Sequence, residues 1–387
     1  MRKTRLINIA AAAAACLFLL SSCAWLDAPV GWITGDQPAS SPDTSGTPGT
    51  PADDTESQPE SGTALPPAAT SGTADTGSAT TEPSDPPDTT APFFISLTRN
   101  VTLKKGSTFD IHKYISYVDD YDSDVELTVT GSVDTATVGT YNISFELRDD
   151  AGNTTSSTMS INILETLPPS TPYTPAPTKS FAEFRNTYKK ADTMVGIDVS
   201  RYQTTVDFQK VAAAGCEFVI IRLGGFSGEL FTDTYYKDNI KNAKQAGLKV
   251  GVYWYSEEDG PDAVRRNADY LYSVLGGEDL DFPIFFDWED FGRFENYKMS
   301  LRDFNDMFLA FKEEAEARGY KASLYNSKYY LELVWSEHVK KDGIWLAQYY
   351  TEPTYTGPFF LWQQGVALID GISGDVDVDV FYPGKLS

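Results

Sequence analysis

Histidine and cysteine are nearly missing from this 387-residue chain, which has two of the first and three of the second. Two histidines cannot furnish a His-rich metal site, and they leave little scope for a Ser-His or Cys-His nucleophile system. Three cysteines cannot build a disulfide framework. Positive charge is also scarce: 31 Lys+Arg stand against 55 Asp+Glu, a formal net charge of −24. That balance excludes the cationic face needed to displace counterions from nucleic-acid phosphates, so no nucleic-acid partner is expected. Acid–base chemistry therefore falls to Asp and Glu. At roughly 150 residues per domain the length gives two or three domains. The 41% hydrophobic and 13% aromatic content suffices for a core if it is concentrated in part of the chain.

It is so concentrated. Residues 1–23 carry Arg2, Lys3 and Arg5 ahead of an apolar run over 6–20. The run is shorter than the roughly 20 residues that span a bilayer and reads as an export signal. Its end, Leu20-Ser21-Ser22-Cys23, resembles the bacterial lipobox. That resemblance implies acylation of Cys23, a lipid anchor in the membrane and a place in the bacterial cell envelope, facing the wall; an ordinary signal peptide with an incidental cysteine is the alternative. Cys216, near Phe218, reads instead as a small buried apolar residue. Residues 24–93 hold eleven acidic groups, no basic ones and twelve of the 22 prolines. Such a segment cannot bury enough surface to offset its ordering entropy, and is expected to be a disordered spacer with ends about 45–50 Å apart. Residues 166–190 read as a second, Pro-rich linker.

Between these, 94–165 changes character. Val125-Glu126-Leu127-Thr128-Val129, Tyr141-Asn142-Ile143-Ser144-Phe145 and Met159-Ser160-Ile161-Asn162-Ile163 alternate apolar and polar residues with period two, separated by turn residues. That is the pattern of a small all-β sandwich. Gly139-Thr140-Tyr141 followed by Asp149-Asp150-Ala151-Gly152-Asn153 resembles bacterial immunoglobulin-like surface modules. Asp120, Asp122 and Asp124 form a D-x-D-x-D run that reads either as a solvated acidic loop or as ligands for a hard cation such as calcium.

From residue 191 to 387, short apolar runs alternate with amphipathic stretches. Strands are expected at 195–199, 218–223, 249–255, 283–288, 321–325, 343–348, 359–363 and 376–381, with helices at 234–246, 262–275 and 301–318. The pattern gives an α/β fold: a (β/α)-type barrel with incomplete late helices, preceded by the small sandwich and disordered linkers. Strand after strand ends in a polar or aromatic group: Asp198, Arg222, Tyr253 and Tyr255, Asp287 and Glu289, Tyr325, Gln348, Gln363, Asp377. Barrel enzymes assemble their sites at that face. In Phe285-Phe286-Asp287-Trp288-Glu289 the i, i+2 spacing sends both carboxylates to the barrel mouth. Two neighbouring carboxylates in an aromatic setting suit glycosidic bond cleavage, one as protonated acid and the other as anion. The spacing alone fits either stereochemical class. Tyr253-Trp254-Tyr255, Trp345 and Trp362 offer candidate stacking platforms for sugar faces.

Gly196-Ile197-Asp198-Val199-Ser200-Arg201-Tyr202-Gln203, Phe218-Val219-Ile220-Ile221-Arg222-Leu223-Gly224, Val252-Tyr253-Trp254-Tyr255-Ser256, Asp287-Trp288-Glu289, Trp345-Leu346-Ala347-Gln348-Tyr349, Leu361-Trp362-Gln363 and Asp375-Val376-Asp377 follow one another in an order that resembles the family 25 glycoside hydrolases. The resemblance implies an N-acetylmuramidase that cleaves the β-1,4 bond between N-acetylmuramic acid and N-acetylglucosamine in peptidoglycan. It further implies Glu289 as general acid, with Asp198, Asp287 and Asp377 completing the acidic cluster. Arg222, Tyr253, Tyr255, Tyr325, Gln348, Trp362 and Gln363 are then expected to bind the glycan. No metal or organic cofactor is implied, and a monomer is expected. Attack by an Asp or by the substrate's own acetamido oxygen both stay open. The alternative reading is a catalytically silent barrel that serves as a surface glycan-binding module. Two positions depart from the family pattern: Phe208, where Trp is usual, and Asp379, where Asn or another polar residue is usual. A carboxylate at 379 that faced the site would raise neighbouring pKa values and shift the optimum upward.

Overall fold

The computed structural model describes residues 87–169 and 177–386. The export segment with Cys23, most of the first spacer and residues 170–176 lie outside the described residues. Among those described, no helix is long and apolar enough to cross a membrane.

The N-terminal module has six strands: β1 (Phe93–Leu97), β2 (Asn100–Lys104), β3 (Ile115–Val118), β4 (Glu126–Thr130), β5 (Gly139–Arg148) and β6 (Thr154–Leu164). β1 pairs with β3, and the order β2-β6-β5-β4 makes the second sheet. The alternation read from the sequence is the alternation of the core. Ile143, Phe145 and Leu147 of β5 and Met159, Ile161 and Ile163 of β6 are buried between the sheets, with polar neighbours facing out.

The barrel opens earlier than expected. β7 (Lys179–Ser180) pairs with a late strand, and α1 (Phe181–Tyr188) buries Phe181 and Phe184 in the barrel core. Residues 179–190 are therefore part of the barrel and not of the linker: Ser180 caps α1 through a reciprocal bond with Glu183, a helix start that a Pro-rich context disguised. The barrel strands are β8 (Met194–Val199), β9 (Phe218–Ser227), β11 (Lys249–Ser256), β12 (Ile284–Asp287), β13 (Ala322–Ser327), β14 (Trp345–Ala347), β15 (Leu361–Leu368) and β16 (Asp375–Phe381); β10 (Glu229–Thr232) is a hairpin extension of β9. Pairing of β8 with both β16 and β9 closes the ring. β16 runs antiparallel to both its neighbours, so the last step of the barrel is not the parallel crossover its sequence pattern suggested. The connections after β8, β9, β11, β12 and β13 carry α2 (Phe208–Ala213), α3 (Tyr236–Gln245), α4 (Pro261–Leu275), α5 (Leu301–Ala317), and the short α6 (Lys328–Leu333) and α7 (Glu337–Lys340). Helices fade beyond that point, as expected.

Period-two alternation sorts the barrel side chains into two layers. Phe218, Ile220, Phe285, Tyr325, Trp345, Leu361 and Phe381 fill the interior. Val219, Ile221, Trp254, Phe286, Trp288, Leu346 and Trp362 face the helices. Trp288 is the anchor of the outer layer, with Phe291, Phe294, Tyr297 and Phe304 rings 4.9, 5.6, 5.0 and 4.9 Å from its own. Phe208, fully enclosed, packs in the same layer and makes the Trp-to-Phe departure a packing change.

Module and barrel share a packed junction. Ile95 and Val118 belong to the barrel's hydrophobic cluster. The buried Ser116 hydroxyl donates to Glu295 (3.1 Å) and accepts from the Phe294 N–H (3.3 Å), and the Tyr329 hydroxyl donates to the Ile95 carbonyl (2.8 Å).

Candidate active site

A cleft of about 550 Å³ opens at the C-terminal face of the parallel strands. Asp198, Asp287, Glu289 and Asp377 all line it. Asp198 lies near the end of β8, Asp287 ends β12 and Asp377 sits on β16. Backbone pairing fixes their spacing: Asp377 is opposite Asp198, and Asp287 lies between Tyr255 and Tyr325 on the flanking strands. Glu289 lies two residues past the end of β12, beyond the strand proper, and faces the same cleft.

Gln363 shows how the position of one carboxylate is set. Its Oε1 accepts hydrogen bonds from the Tyr325 hydroxyl (2.9 Å) and the Tyr349 hydroxyl (2.8 Å). Its amide nitrogen donates to Asp198 Oδ2, 2.8 Å away. Arg222 is held from the other side. Its Nε donates to Asp233 Oδ2 at 2.8 Å, its Nη2 is ion-paired to the same oxygen at 2.7 Å, and its guanidinium lies 5.3 Å from the Tyr202 ring centre.

Three aspartates of this cleft, Asp198, Asp287 and Asp377, resist ionisation. Burial, first of all, raises Asp287 well above the ordinary carboxylate range; Glu289 raises it further and Arg222 opposes the shift. Its Oδ1 is buried and has no hydrogen-bond partner. Burial likewise raises Asp377, with Asp198 and Glu289 adding repulsion. Asp198 is raised by burial and then by Asp379. Asp379 itself is fully buried beneath the cleft, where Trp345 Nε1 donates to its Oδ1 at 2.8 Å. Asp198 and Asp379 lie close enough for their carboxyls to interact, which favours a proton on one of them. Such a cluster can supply a protonated acid and an anion side by side near neutral pH.

Arg222, Tyr253, Tyr255, Tyr325, Gln363 and Trp345 line the cleft as expected. Gln348 and Trp362 do not. Gln348 shares the outward register of Leu346, and its amide bonds Thr354 through both its nitrogen (2.6 Å) and its oxygen (2.9 Å). Trp362 is fully buried in the outer layer, where its indole donates to the Gln348 carbonyl (2.7 Å) and its ring meets Tyr188 edge-on. Trp254 faces outward for the same reason, as the alternation Tyr253-in, Trp254-out, Tyr255-in requires. Residues that strand ends could not reveal complete the wall: Ser200, Arg201, Tyr202 and Gln203 in the turn after β8, and Ser227, Glu229 and Phe231 in the β9–β10 hairpin. The hairpin folds tightly over the strand because Gly224 and Gly225 carry no side chain; a Cβ there would lie 2.3 Å from the Phe231 carbonyl and 2.2 Å from the Tyr255 carbonyl.

Residues 197–366 match the model for glycosyl hydrolases family 25, and residues 95–163 match the bacterial surface protein, Ig-like domain. The barrel is a glycosyl hydrolases family 25 domain. The chain is 29% identical over 197 residues to the autolytic lysozyme of Clostridium acetobutylicum, covering 50% of this chain and 57% of that protein. Over 199 residues it is 26% identical to lysozyme M1 of Streptomyces globisporus, covering 48% of this chain and 67% of that one. The family 25 domain is thus matched to little more than half the length of the first of these relatives. Among solved structures, the lysozyme of Streptomyces coelicolor aligns with a TM-score of 0.41 at 23% identity, over 50% of this chain and 93% of that one. The autolysin LytC of Streptococcus pneumoniae, solved with a synthetic peptidoglycan ligand, aligns with a TM-score of 0.46 at 19% identity, over 62% of this chain and 56% of that one.

Proposed function

We propose that this family 25 domain is an N-acetylmuramidase that hydrolyses the β-1,4 bond between N-acetylmuramic acid and N-acetylglucosamine in peptidoglycan. The observation that carries this reading is the convergence of Asp198, Asp287, Glu289 and Asp377 on one cleft at the C-terminal end of the barrel, inside the segment that matches the family. In this reading Glu289, the least enclosed of the strand-12 carboxyls, protonates the leaving oxygen. Asp287, kept protonated by burial, donates to or orients the substrate acetamido group beside the anomeric carbon. Of the clustered aspartates, Asp198 (oriented by Gln363) and Asp377 supply negative potential to developing oxocarbenium charge only to the extent that they have given up their protons. Tyr202, Phe231 and Tyr255 offer ring faces and edges to the sugars along the cleft. The signal segment directs export and is removed, acylated Cys23 holds the enzyme in the envelope, and the spacer gives it reach; its net negative charge gives no electrostatic pull toward an anionic wall.

The test is Glu289→Gln, assayed by loss of turbidity of purified cell walls with circular dichroism as the fold check. Lysis is expected to fall at least a hundredfold with the fold intact. Undiminished lysis by that variant overturns the assignment. Reducing-end analysis of wild-type products is expected to yield muramic acid at the new ends, and glucosamine there would name a different specificity.

A further inference from the structure

The junction between module and barrel holds a second group of carboxylates, two of them buried (Asp119 and Asp149), none of which the cleft uses. Asp88 precedes β1, Asp119, Asp120 and Asp122 follow β3, and Asp149 follows β5. Carboxylate oxygens of Asp88, Asp122 and Asp149 lie within 4.8 Å of one another, and so do those of Asp88, Asp119 and Asp120. The turn holds them there. Asp119 Oδ1 accepts from the backbone N–H groups of Tyr121 and Asp122, both at 2.8 Å, and Asp122 Oδ2 accepts from the Asp150 N–H at 3.0 Å. Asp149 accepts from the Asn153 backbone (2.7 Å) and side chain (2.8 Å).

Two oxygens in the group are left over. Asp119 is 0% exposed, and its Oδ2 is buried with no hydrogen-bond partner. Asp88 Oδ2 is in the same condition, although its Oδ1 is used by the Thr90 N–H at 3.0 Å. Buried carboxylate oxygens without donors are unfavourable unless something positive meets them. Asp124, which the sequence spacing grouped with Asp120 and Asp122, is not among them: it pairs with Lys298.

We propose that Asp88, Asp119, Asp120, Asp122 and Asp149, two groups of three that share Asp88, form a calcium site. Calcium takes six to eight oxygens at about 2.3–2.6 Å in adaptable geometry, which suits several carboxylates drawn from three separated chain segments. Magnesium prefers one or two carboxylates with several retained waters. The site would also stiffen the junction. The carbonyls of Asp119 and Asp120 accept from the Leu301 N–H (2.9 Å) and the Arg302 N–H (3.2 Å) at the start of α5, so the loop that would hold the ion is the loop that seats the module on the barrel.

The experiment is titration of EDTA-stripped full-length protein with calcium chloride by calorimetry, with thermal melts in calcium and in EDTA. One calcium per chain and a melting temperature several degrees higher in calcium are expected. Asp88→Asn and Asp119→Asn should each weaken binding at least tenfold and remove the calcium-dependent shift, while Asp124→Asn should leave both unchanged. Asp88 lies ahead of the first strand, so its variant carries the test even if Asp119→Asn fails to fold; undiminished wall lysis shows that a variant is folded. No saturable heat in the wild type, full calcium affinity in Asp88→Asn, or magnesium bound as tightly as calcium would each overturn the proposal.

Discussion

Asp379→Asn isolates the departure that most affects the cleft. In the wild type, Asp379 is fully buried, its Oδ1 takes the Trp345 indole N–H at 2.8 Å, and its carboxyl meets that of Asp198. Asparagine keeps the acceptor for Trp345 and presents Nδ2 to Asp198, so the change removes charge with little change of shape. Two carboxyls sharing one proton titrate well apart, so relieving the repulsion should lower Asp198 toward the ordinary carboxylate range. The sign for stability follows from linkage. Asp198 and Asp379 are both raised in the folded state, so their contribution is fully present below the unfolded Asp value near pH 3.9 and is lost as pH rises through the raised values. The variant escapes part of that loss. It should match the wild type at about pH 4 and exceed it by about 1–3 kcal/mol at about pH 8. Urea unfolding midpoints across that range measure the difference. In wall lysis, the acid limb of the variant should move to lower pH, because Asp198 ionises earlier. Stability curves that run parallel from acid to neutral, or an optimum that moves upward, would refute the shared-proton argument.

Gln363→Leu should act in the opposite sense. It removes the amide that favours ionised Asp198 and takes the Gln363 oxygen away from the Tyr325 and Tyr349 hydroxyls, so the lysis optimum should rise and stability should fall by about 1–3 kcal/mol. A pH–rate profile and a denaturant titration of the same preparation read both. Trp288→Ala should destabilise by about 3–5 kcal/mol, since it empties the centre of four ring contacts and frees the strand end that carries Glu289. A thermal melt within a degree or two of wild type would show that the outer layer does not depend on that ring.

The fold was legible wherever period-two alternation met burial on both faces. β9 is buried over Phe218–Gly225 and its apolar run marks it plainly. The β9–β10 hairpin was not legible because its cause, the absence of a Cβ at Gly224 and Gly225, acts through backbone atoms that are distant in sequence, about thirty residues for Gly225 and Tyr255. Within the site, parity was the unused signal. Trp362 and Gln363 are neighbours on one strand and cannot both face the cleft; once Gln363 reaches Asp198, Trp362 must face the helices. The same count separates Trp254 from Tyr253 and Tyr255. Tyr202, 58% exposed at the rim, carries no periodic signature at all, because it stands on a turn.

Negative charge in this chain meets two kinds of burial, and the surroundings determine how each is relieved. Around Asp198 the neighbours are donors that serve one oxygen at a time: Gln363 for Asp198, the Trp345 indole for Asp379. The excess there is relieved by a proton, which leaves the cleft able to exchange that proton during a reaction. At the junction, backbone amides of a turn fix the Asp119 carboxylate through one oxygen and leave the second buried without a donor, in a group of carboxylates. Fixed anionic oxygens gathered from three chain segments favour a multivalent cation, which joins those segments as a proton cannot. The two arrangements are therefore separable in one pair of measurements. Asp379→Asn should move the pH profile of lysis and leave calcium affinity unchanged, whereas Asp88→Asn should abolish the calcium-dependent melt and leave the pH profile where it was. Movement of both readouts by either variant would mean that junction and cleft are one coupled network rather than two.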